Sequence, residues 1–534
     1  MSYGLRSEWT TGGSGIRPAV ESSAGRTDKP VALRLPNLVG DNMVLQAGEA
    51  VRLWGWAVPG EPVHVRFAGQ SSGTLADADG RWELFLEPME PCAVGRYLVV
   101  SAASGERQLR EVLVGQVWVC SGQSNMAMRV AQIKGTERLL KAEKLPQVRA
   151  FNLPWEGGWT PREDVRARWR EVGRSELSWL SAVACVFAGE LHARLGQPVG
   201  LLVSHVGGSN GEAWIGRSAL LENPRLKRIH EVIRQREAAC PQLASRGHGY
   251  FRKWLYDFKA YWRAFCQWRD RAEASRGDPP AVPVGLVDKQ TPSVFYNGMI
   301  APLTRYTIKG FLWYQGEANA NNVNLAYEYR HLLPTLITSW RKAWGRDDLP
   351  FYFVQLPDFV APQEDAWALM RESMLKTMRE VPHTGMAVTI GLGEPGDIHP
   401  PDKIPVGQRL ARIALAKTYG VDLVYSGPLF ERVVAESGRL RLTFSHAAGG
   451  LEPQAQVLDG FQVASADGPF VPAQAVIEDG QVIVSSESVP HPVHVRYAWA
   501  NNVRPSLFNT AGLPATPFRT DTRLLPGQMG EDER

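Results

Sequence analysis

The sequence lacks any apolar run long enough to cross a membrane, and its 534 residues carry a formal net charge of only +4. The first absence excludes a membrane-spanning helix. The second gives no reason to expect nucleic acid or a membrane surface as a partner. The five cysteines show neither paired spacing nor a CxxC motif. Their pattern argues against a disulfide framework and against a zinc site.

The N-terminus lacks the apolar core of a signal peptide. Residues 1–29 are polar and rich in Gly, Ser and Thr, so we expect a disordered tail there. A cytoplasmic protein is the corresponding expectation for the chain as written. A chain that had lost an original leader would have the same composition.

The composition is otherwise that of a globular protein with a large core. Hydrophobic residues make up 44% of the chain and charged residues 21%, which is typical of soluble domains. A length of 534 residues indicates two to four domains.

Changes in the hydrophobic pattern divide the chain into candidate domains. Short alternating runs punctuated by Gly, Pro and Asp predict one β module over residues 30–110 and a second over residues 422–521. Residues 111–421 alternate apolar strand-like runs with amphipathic helices, which predicts an α/β domain with a parallel sheet and helices on both faces. A polar, basic and aromatic segment at about 217–285 predicts a helical insert, and residues 522–534 predict a frayed tail.

The stretch VWVCSGQSNM, residues 117–126, places a serine where a buried strand ends. In open α/β sheets, ligands bind at that end of the strands. Ser124 is therefore a candidate nucleophile, and its own N–H at the start of the next helix is a candidate oxyanion donor. The alternative is that Ser124 only caps that helix.

Two further polar segments follow predicted strands. The glycines of the first, Gly207 and Gly208, permit a backbone N–H to approach a ligand oxygen. The second is WYQGEAN, in which Gln315 or Asn319 would donate a side-chain N–H into an oxyanion hole. The alternatives are a glycine-rich strand-to-helix turn and amides that only satisfy neighbouring loops.

The candidate general base is His399, in the segment GDIHP after a strand predicted to end near Leu392. A base needs an acceptor on its other ring nitrogen to orient it. Asp397 lies two residues away, and an extended segment points residues i and i+2 to the same side. The pair is therefore expected to meet.

Two competing chemistries are weaker. A metal site built on Asp397 and His399 lacks second and third ligands at plausible spacing. Cys120 lies inside the apolar strand rather than on the turn, which favours a buried, inert thiol over a nucleophile.

Together, the segments GQSNM, GG-x-x-x-EAW, WYQGE-x-N and DIHP resemble the SGNH (GDSL-type) hydrolase superfamily, and in particular its sialate O-acetylesterase-like branch. The flanking runs LPNLVGDNMVLQ, NGMIAPL and GLPATPFRTD resemble the same branch. The resemblance extends over about residues 34–521. It implies an SGNH-type, flavodoxin-like parallel sheet flanked by β-sandwich-like modules.

The resemblance also implies roles for single residues. Ser124 would be the nucleophile, His399 the base and Asp397 its partner. The oxyanion hole would use the Ser124 amide, Gly207 or Gly208, and a side chain from the third segment. That side chain would be Asn319 or Gln315, and the motifs favour neither. Supporting roles would fall to Gln123 and Glu317.

The chain departs from the superfamily pattern at two places. The acid that usually stands three residues before the histidine is replaced by Gly396. Gly391 stands where family members often have an acid after the last strand, and Glu394 is a nearby substitute. Some SGNH enzymes orient the histidine through a backbone carbonyl, in which case Asp397 would be dispensable.

The function implied is hydrolysis of an O-acetyl ester on a carbohydrate, with O-acetylated sialic acid as the expected substrate and no cofactor or metal required. An acetylesterase acting on plant polysaccharides such as acetylated xylan is the alternative within enzymes. A carbohydrate-binding protein with a vestigial hydrolase site is the alternative from another class.

Overall fold

The computed structural model describes residues 32–137, 144–269, 271, 275, 277–447, 449–453 and 458–530. The tail expected over residues 1–29 lies outside the described residues, and so do the last four residues of the tail expected over 522–534.

Seven strands form the N-terminal part of the molecule. They are β1 (Val44–Gln46), β2 (Val51–Trp56), β3 (Pro62–Phe67), β4 (Gln70–Leu75), β5 (Arg81–Leu86), β6 (Cys92–Ala102) and β7 (Gly105–Gly122). Strands β2 and β5 pair with each other, while β3, β4, β6 and β7 form antiparallel neighbours in a larger sheet. Alternating burial along β3 shows that one face of this sheet covers a core.

The 18-residue strand β7 belongs to both the N-terminal sheet and the central sheet. Its first half pairs antiparallel with β6, and residues Leu113–Gly115 pair parallel with β1. Its second half is fully buried and pairs parallel with strands on both sides. The boundary expected between residues 110 and 111 therefore falls inside one continuous strand.

The central part alternates strands and helices. Its elements are α1 (Ser124–Ala127), β8 (Lys144–Asn152), β9 (Trp169–Gly173), α2 (Arg174–Leu177), α3 (Ala182–Leu195), β10 (Val199–His205), α4 (Arg217–Glu222), α5 (Lys227–Ala239), α6 (Leu243–Arg269), β11 (Gly310–Tyr314), α7 (Val323–Trp344), β12 (Phe351–Val354), α8 (Ala366–Glu380), β13 (Thr384–Ala387) and α9 (Ile404–Lys417).

The strand order of the central sheet is β13-β12-β11-β7-β10-β8-β9. All neighbours are parallel except the edge strand β9, which runs antiparallel to β8. The sheet is therefore mixed, and the coarse expectation of an α/β fold with additional β sheets is confirmed. The expectation that the last strand extends to Leu392 is wrong, because β13 ends at Ala387.

Helices cover both faces of this sheet. Trp118 of β7 packs against Phe187 of α3, with ring centroids 5.2 Å apart. The strand register pairs Phe311 of β11 with Val119, the next residue along β7, so Phe311 points to the opposite face. There it packs against Trp340 of α7 at 5.3 Å. The parallel strands are thus buried on both sides, which explains their continuous apolar sequences.

The segment expected to be a helical insert contains α4, α5 and α6, and the described residues from 277 to 285 are irregular. In α6, Trp254 and Phe258 are buried and stack with ring centroids 4.9 Å apart. Within the part of the chain that the structure describes, no helix combines the length and apolarity that crossing a membrane requires.

The described residues of the C-terminal part form three small sheets. Their strands are β14 (Leu429–Glu436), β15 (Arg439–Ser445), β16 (Leu451–Pro453), β17 (Phe461–Ala464), β18 (Val471–Pro472), β19 (Gln474–Glu478), β20 (Gln481–Ser485), β21 (His494–Tyr497), β22 (Leu507–Asn509) and β23 (Phe518–Arg519). Phe518 stacks on Phe430 at 4.2 Å and joins two of these sheets.

Candidate active site

Ser124 follows the central strand directly, because β7 ends at Gly122 in a conformation that needs glycine. Gly122 has a φ of +143°, and a Cβ atom there would lie 2.1 Å from the carbonyl oxygen of Tyr314. The N–H of Gln123 donates to the same oxygen at 3.0 Å, which holds the turn against β11. Ser124 is then the first residue of α1 and is half-buried.

His399 reaches Ser124 from the loop between β13 and α9. Its Nε2 atom lies 2.8 Å from Ser124 Oγ, a hydrogen-bond distance. The start of this loop is held by Asp358, whose Oδ1 accepts the N–H groups of Gly391 at 2.6 Å and Gly393 at 3.2 Å. The structure therefore brings the predicted nucleophile and the predicted base together across 275 residues of sequence.

Asp397 lies beside His399, but its strongest contact is with the backbone. Its Oδ1 accepts the His399 N–H at 2.8 Å, whereas the distance from Oδ1 to His399 Nδ1 is 3.9 Å. The second distance is too long for a hydrogen bond. Asp397 thus shapes the turn and places its charge near the ring. The other nearby acid, Glu394, instead forms an ion pair with Lys134 at 3.0 Å.

Three backbone N–H groups near the serine donate no hydrogen bond to any described residue. Among the described residues, no acceptor takes the N–H of Ser124, Gly207 or Gly208. A Cβ atom on Gly207 would lie 3.6 Å from Ser124 Cβ, so this glycine contacts the serine directly. Gly208 has a φ of +67°, a region that favours glycine. Unclaimed donors beside a nucleophile are the requirement for stabilising an oxyanion.

The two candidate amide side chains, Gln315 and Asn319, are both buried and hydrogen-bonded to each other. Gln315 Nε2 donates to Asn319 Oδ1 at 2.7 Å and to the carbonyl of Ser209 at 3.2 Å, which uses both of its hydrogens. Asn319 Nδ2 donates to Glu212 at 3.0 Å. Among the described residues, no acceptor takes its second hydrogen. The two amides also fix the glycine loop to the third segment, since Asn319 Oδ1 accepts the Gly211 N–H at 2.9 Å.

The residues predicted as supporting, Gln123 and Glu317, connect the serine turn to the third segment. Gln123 Oε1 accepts the N–H of Ala318 at 3.2 Å. Glu317 is buried and accepts a hydrogen bond from Asn125 Nδ2. Burial is the main cause that raises the pKa of Glu317.

Asn125 also belongs to this site, although the sequence analysis predicted no role for it. Its Nδ2 donates to Glu317 and also, at 3.0 Å, to the carbonyl oxygen of Ile398. One amide group therefore ties the nucleophile turn to the loop that carries the base. The signal in the sequence was its place beside Ser124 in the motif GQSNM.

Cys120 is fully buried, and this burial raises the pKa of its thiol far above the physiological range. A thiol that stays protonated and has no access to solvent is not a nucleophile. Within the described ranges, no group of three or more His, Cys, Asp or Glu side chains is arranged to hold a metal ion.

Comparison with known proteins identifies the family. A carbohydrate acetylesterase from Xanthomonas citri, known from its crystal structure, is 34% identical to this chain and superposes on it with a TM-score of 0.77. The match covers 92% of this chain and 100% of that protein. The chain belongs to the sialate O-acetylesterase-like family of carbohydrate esterases. The resemblance seen in the four sequence motifs is thereby confirmed, and so is the prediction of a carboxylic ester hydrolase.

Other members of the sialate O-acetylesterase-like family match along nearly their whole length. The sialate O-acetylesterase of Mus musculus is 28% identical, with 93% of this chain and 95% of that protein covered. The sialate O-acetylesterase of Homo sapiens is 27% identical, with 91% of this chain and 92% of that protein covered. A family model described as a carbohydrate esterase, sialic acid-specific acetylesterase, matches residues 288–416.

The electrostatics of the site keep the base neutral. Burial lowers the pKa of His399 below its ordinary value of 6.5, the charge of Asp397 opposes this shift, and the charge of Lys403 adds to it. Lys403 is itself buried, which lowers its pKa to about 8. At pH 7 the imidazole is therefore mostly unprotonated and able to accept a proton from Ser124.

These shifts predict the acid limb of the pH–rate profile. A general base works only when deprotonated, so kcat/KM should fall as the pH drops through the pKa of His399, with a midpoint below pH 6.5. Asp397→Asn removes the charge that raises this pKa, so its midpoint should lie at lower pH than that of wild type. Profiles with p-nitrophenyl acetate measure both midpoints. Glu394→Gln is the control on the same loop, and an upward shift in Asp397→Asn would contradict the assignment.

Asn125→Ala should lower kcat by about 10- to 100-fold with little change in KM, because the base and nucleophile lose their common tie. It should also lower the free energy of unfolding by about 1–3 kcal/mol, since buried Glu317 loses its donor. Steady-state kinetics and urea unfolding measure the two effects. The control is Asn324→Ala, which removes an amide bonded to the carbonyl of Gly527. A rise in KM with unchanged kcat would argue against a positioning role.

Proposed function

We propose that this protein is a serine esterase that removes O-acetyl groups from a carbohydrate through an acetyl-enzyme, with O-acetylated sialic acid as its substrate. The observation that carries the proposal is the 2.8 Å contact between Ser124 Oγ and His399 Nε2 beside unclaimed backbone N–H groups. The substrate class is supported by the mouse and human relatives, which are named sialate O-acetylesterases.

In the first half of the reaction, His399 Nε2 accepts the proton of Ser124 Oγ while Oγ bonds to the acetyl carbonyl carbon. The carbonyl oxygen takes the negative charge. When the carbonyl re-forms, the bond from the acetyl carbon to the sugar oxygen breaks. The sugar oxygen takes the proton from His399 and leaves as an alcohol.

In the second half, water gives a proton to His399 and attacks the acetyl-serine. The bond from the acetyl carbon to Ser124 Oγ then breaks, Oγ regains its proton from His399, and acetate leaves. We assign the negative oxygen of both steps to the N–H groups of Ser124 and of Gly207 or Gly208. Of the two candidate amides, we favour Asn319, because its Nδ2 keeps a hydrogen that no described residue accepts.

We also propose that the central sheet and its helices form an SGNH-type catalytic domain. The strands β10-β7-β11-β12-β13 lie in the order 2-1-3-4-5 when numbered along the chain, the order of flavodoxin-like sheets. The serine follows strand 1 of this series, at the carboxyl ends of the parallel strands. This arrangement supports an SGNH-type catalytic domain, with β8 and β9 added at one edge.

Acetate release followed by NMR tests the substrate. We expect the wild-type protein to release acetate from O-acetylated sialic acid with a higher kcat/KM than from acetylated xylan, with Ser124→Ala as the blank. Faster release from xylan would favour the plant-polysaccharide alternative. Absence of hydrolysis even with p-nitrophenyl acetate, together with unchanged sugar binding by Ser124→Ala, would favour a carbohydrate-binding protein and overturn the proposal.

A further inference from the structure

The ammonium group of Lys289 lies against the glycine loop that packs on Ser124. A Cβ atom built on Gly208 would be only 2.6 Å from Lys289 Nζ, and one on the preceding Gly207 would be 3.6 Å from Ser124 Cβ. Since neighbouring Cα atoms are 3.8 Å apart, Nζ lies within about 13 Å of Ser124 Cβ. This upper limit is comparable to the length of one nine-carbon sugar acid.

The charge of Lys289 is not balanced by an ion pair with any residue that the structure describes. Among the described residues, no carboxylate lies within ion-pair distance of its Nζ. The adjacent Asp288 is engaged elsewhere, since Arg236 Nη2 contacts its carboxylate at 3.3 Å and Gln290 donates its N–H to Oδ1 at 2.9 Å. Glu212, the acid closest to the glycine loop in sequence, is taken by Arg228 at 3.0 Å.

The surroundings of Lys289 are partly dry. Nζ lies 4.7 Å from the centre of the Phe258 ring, on helix α6 of the insert. Burial lowers the pKa of Lys289, and the nearby charge of Asp288 opposes this shift only in part. A partly buried cation that lacks an ion-pair partner among the described residues favours the arrival of an anion, because the anion recovers interactions that were lost on burial.

Because Gly208 has no side chain, the ammonium group of Lys289 can occupy the space beside it. A side chain at this position would collide with Nζ, and the φ of +67° also favours glycine. The loop that packs on Ser124 through Gly207 therefore gives room to a cation at the next residue, Gly208. We therefore expect Lys289 to act on substrate selection.

We propose that Lys289 binds the carboxylate of an acidic acetylated sugar and makes this esterase selective for anionic over neutral carbohydrates. This inference rests on the proposed function and deepens it. Sialic acid carries such a carboxylate, whereas the acetylated xylose units of xylan do not. The helical insert then serves as one wall of the substrate site, through Phe258.

The test compares an O-acetylated sialic acid with its methyl ester, in which the carboxylate is replaced by a neutral group. Acetate release by NMR gives kcat/KM for each, and methanol is resolved from acetate. We expect wild type to prefer the acid by about 10- to 100-fold, the worth of one charge-assisted contact. In Lys289→Gln this preference should fall to about one, and Lys289→Arg should retain part of it. Lys253→Gln, which removes an exposed lysine paired with Asp257 on α6, should keep the wild-type preference.

The outcomes that would contradict the role of Lys289 differ from the outcome that would contradict the proposed substrate. A purely structural role for Lys289 would slow both substrates equally, so an unchanged preference in Lys289→Gln overturns the inference. A wild type that deacetylates acid and methyl ester equally well overturns it too, while leaving the esterase assignment intact. A wild type that hydrolyses p-nitrophenyl acetate but neither sialic acid substrate contradicts the proposed substrate instead.

Discussion

Ser124→Ala is expected to lower kcat for p-nitrophenyl acetate by about 10⁵- to 10⁶-fold. The substitution removes the atom that bonds to the acetyl carbon, so only the oxyanion donors and binding remain to accelerate hydrolysis by water. The N–H of residue 124 belongs to the backbone and is unaffected. A fluorophosphonate probe should label the wild-type protein at this serine and leave Ser124→Ala unlabelled.

A matched control lies three residues earlier. Ser121 is a buried serine of β7 whose Oγ has no hydrogen-bond partner among the described residues. Ser121→Ala therefore removes a hydroxyl from the same strand without breaking a hydrogen bond to a described residue, and we expect wild-type kinetics. If Ser124→Ala retained more than a hundredth of the wild-type kcat, another group would have to be the nucleophile.

His399→Ala should lower kcat nearly as much as Ser124→Ala does, because a serine without its base remains a weakly nucleophilic alcohol at neutral pH. The two losses should not add. The double variant should have the residual rate of the single variants, since both remove the same nucleophilic step. Kinetics of the two single variants and the double variant with p-nitrophenyl acetate measure this.

The control for the base is His64→Ala, which removes an exposed histidine of β3 in the N-terminal sheet. It should leave kcat unchanged. Multiplicative losses in the double variant would mean that the two residues act in separate steps, against the contact seen at 2.8 Å.

The sequence predicted elements well where burial and hydrogen bonding coincide. The buried strand predicted before Ser124 is the second half of β7, and the alternation of strands and amphipathic helices predicted within residues 111–421 includes α3 and α7. Prediction failed where burial continues without strand pairing. Val388 and Ile390 are buried beyond the end of β13, so hydrophobicity extended the strand too far. The edge strand β9 has only five residues and runs antiparallel, so it leaves little pattern in the sequence.

The site was predictable to the extent that its motifs follow strand ends. Ser124 and His399 could be paired from their positions after parallel strands, whose carboxyl ends lie at one edge of the sheet. The role of Asn125 depends on a contact with the main chain of Ile398, which no local pattern encodes. Lys289 was missed for a similar reason: its neighbours Gly208 and Phe258 come from different parts of the chain.

The length of β7 has a practical consequence for anyone who dissects this enzyme. A fragment starting at residue 111 would begin within a strand and would leave unpaired the backbone that now bonds to β6 and β1. It would also lose the Gln46 side chain, which accepts the N–H of Val117 at 2.9 Å only a few residues before the nucleophile. Truncation from the N-terminus should therefore cost activity through misplacement of the serine, and protein engineering of the catalytic half has to retain the sheet that precedes it.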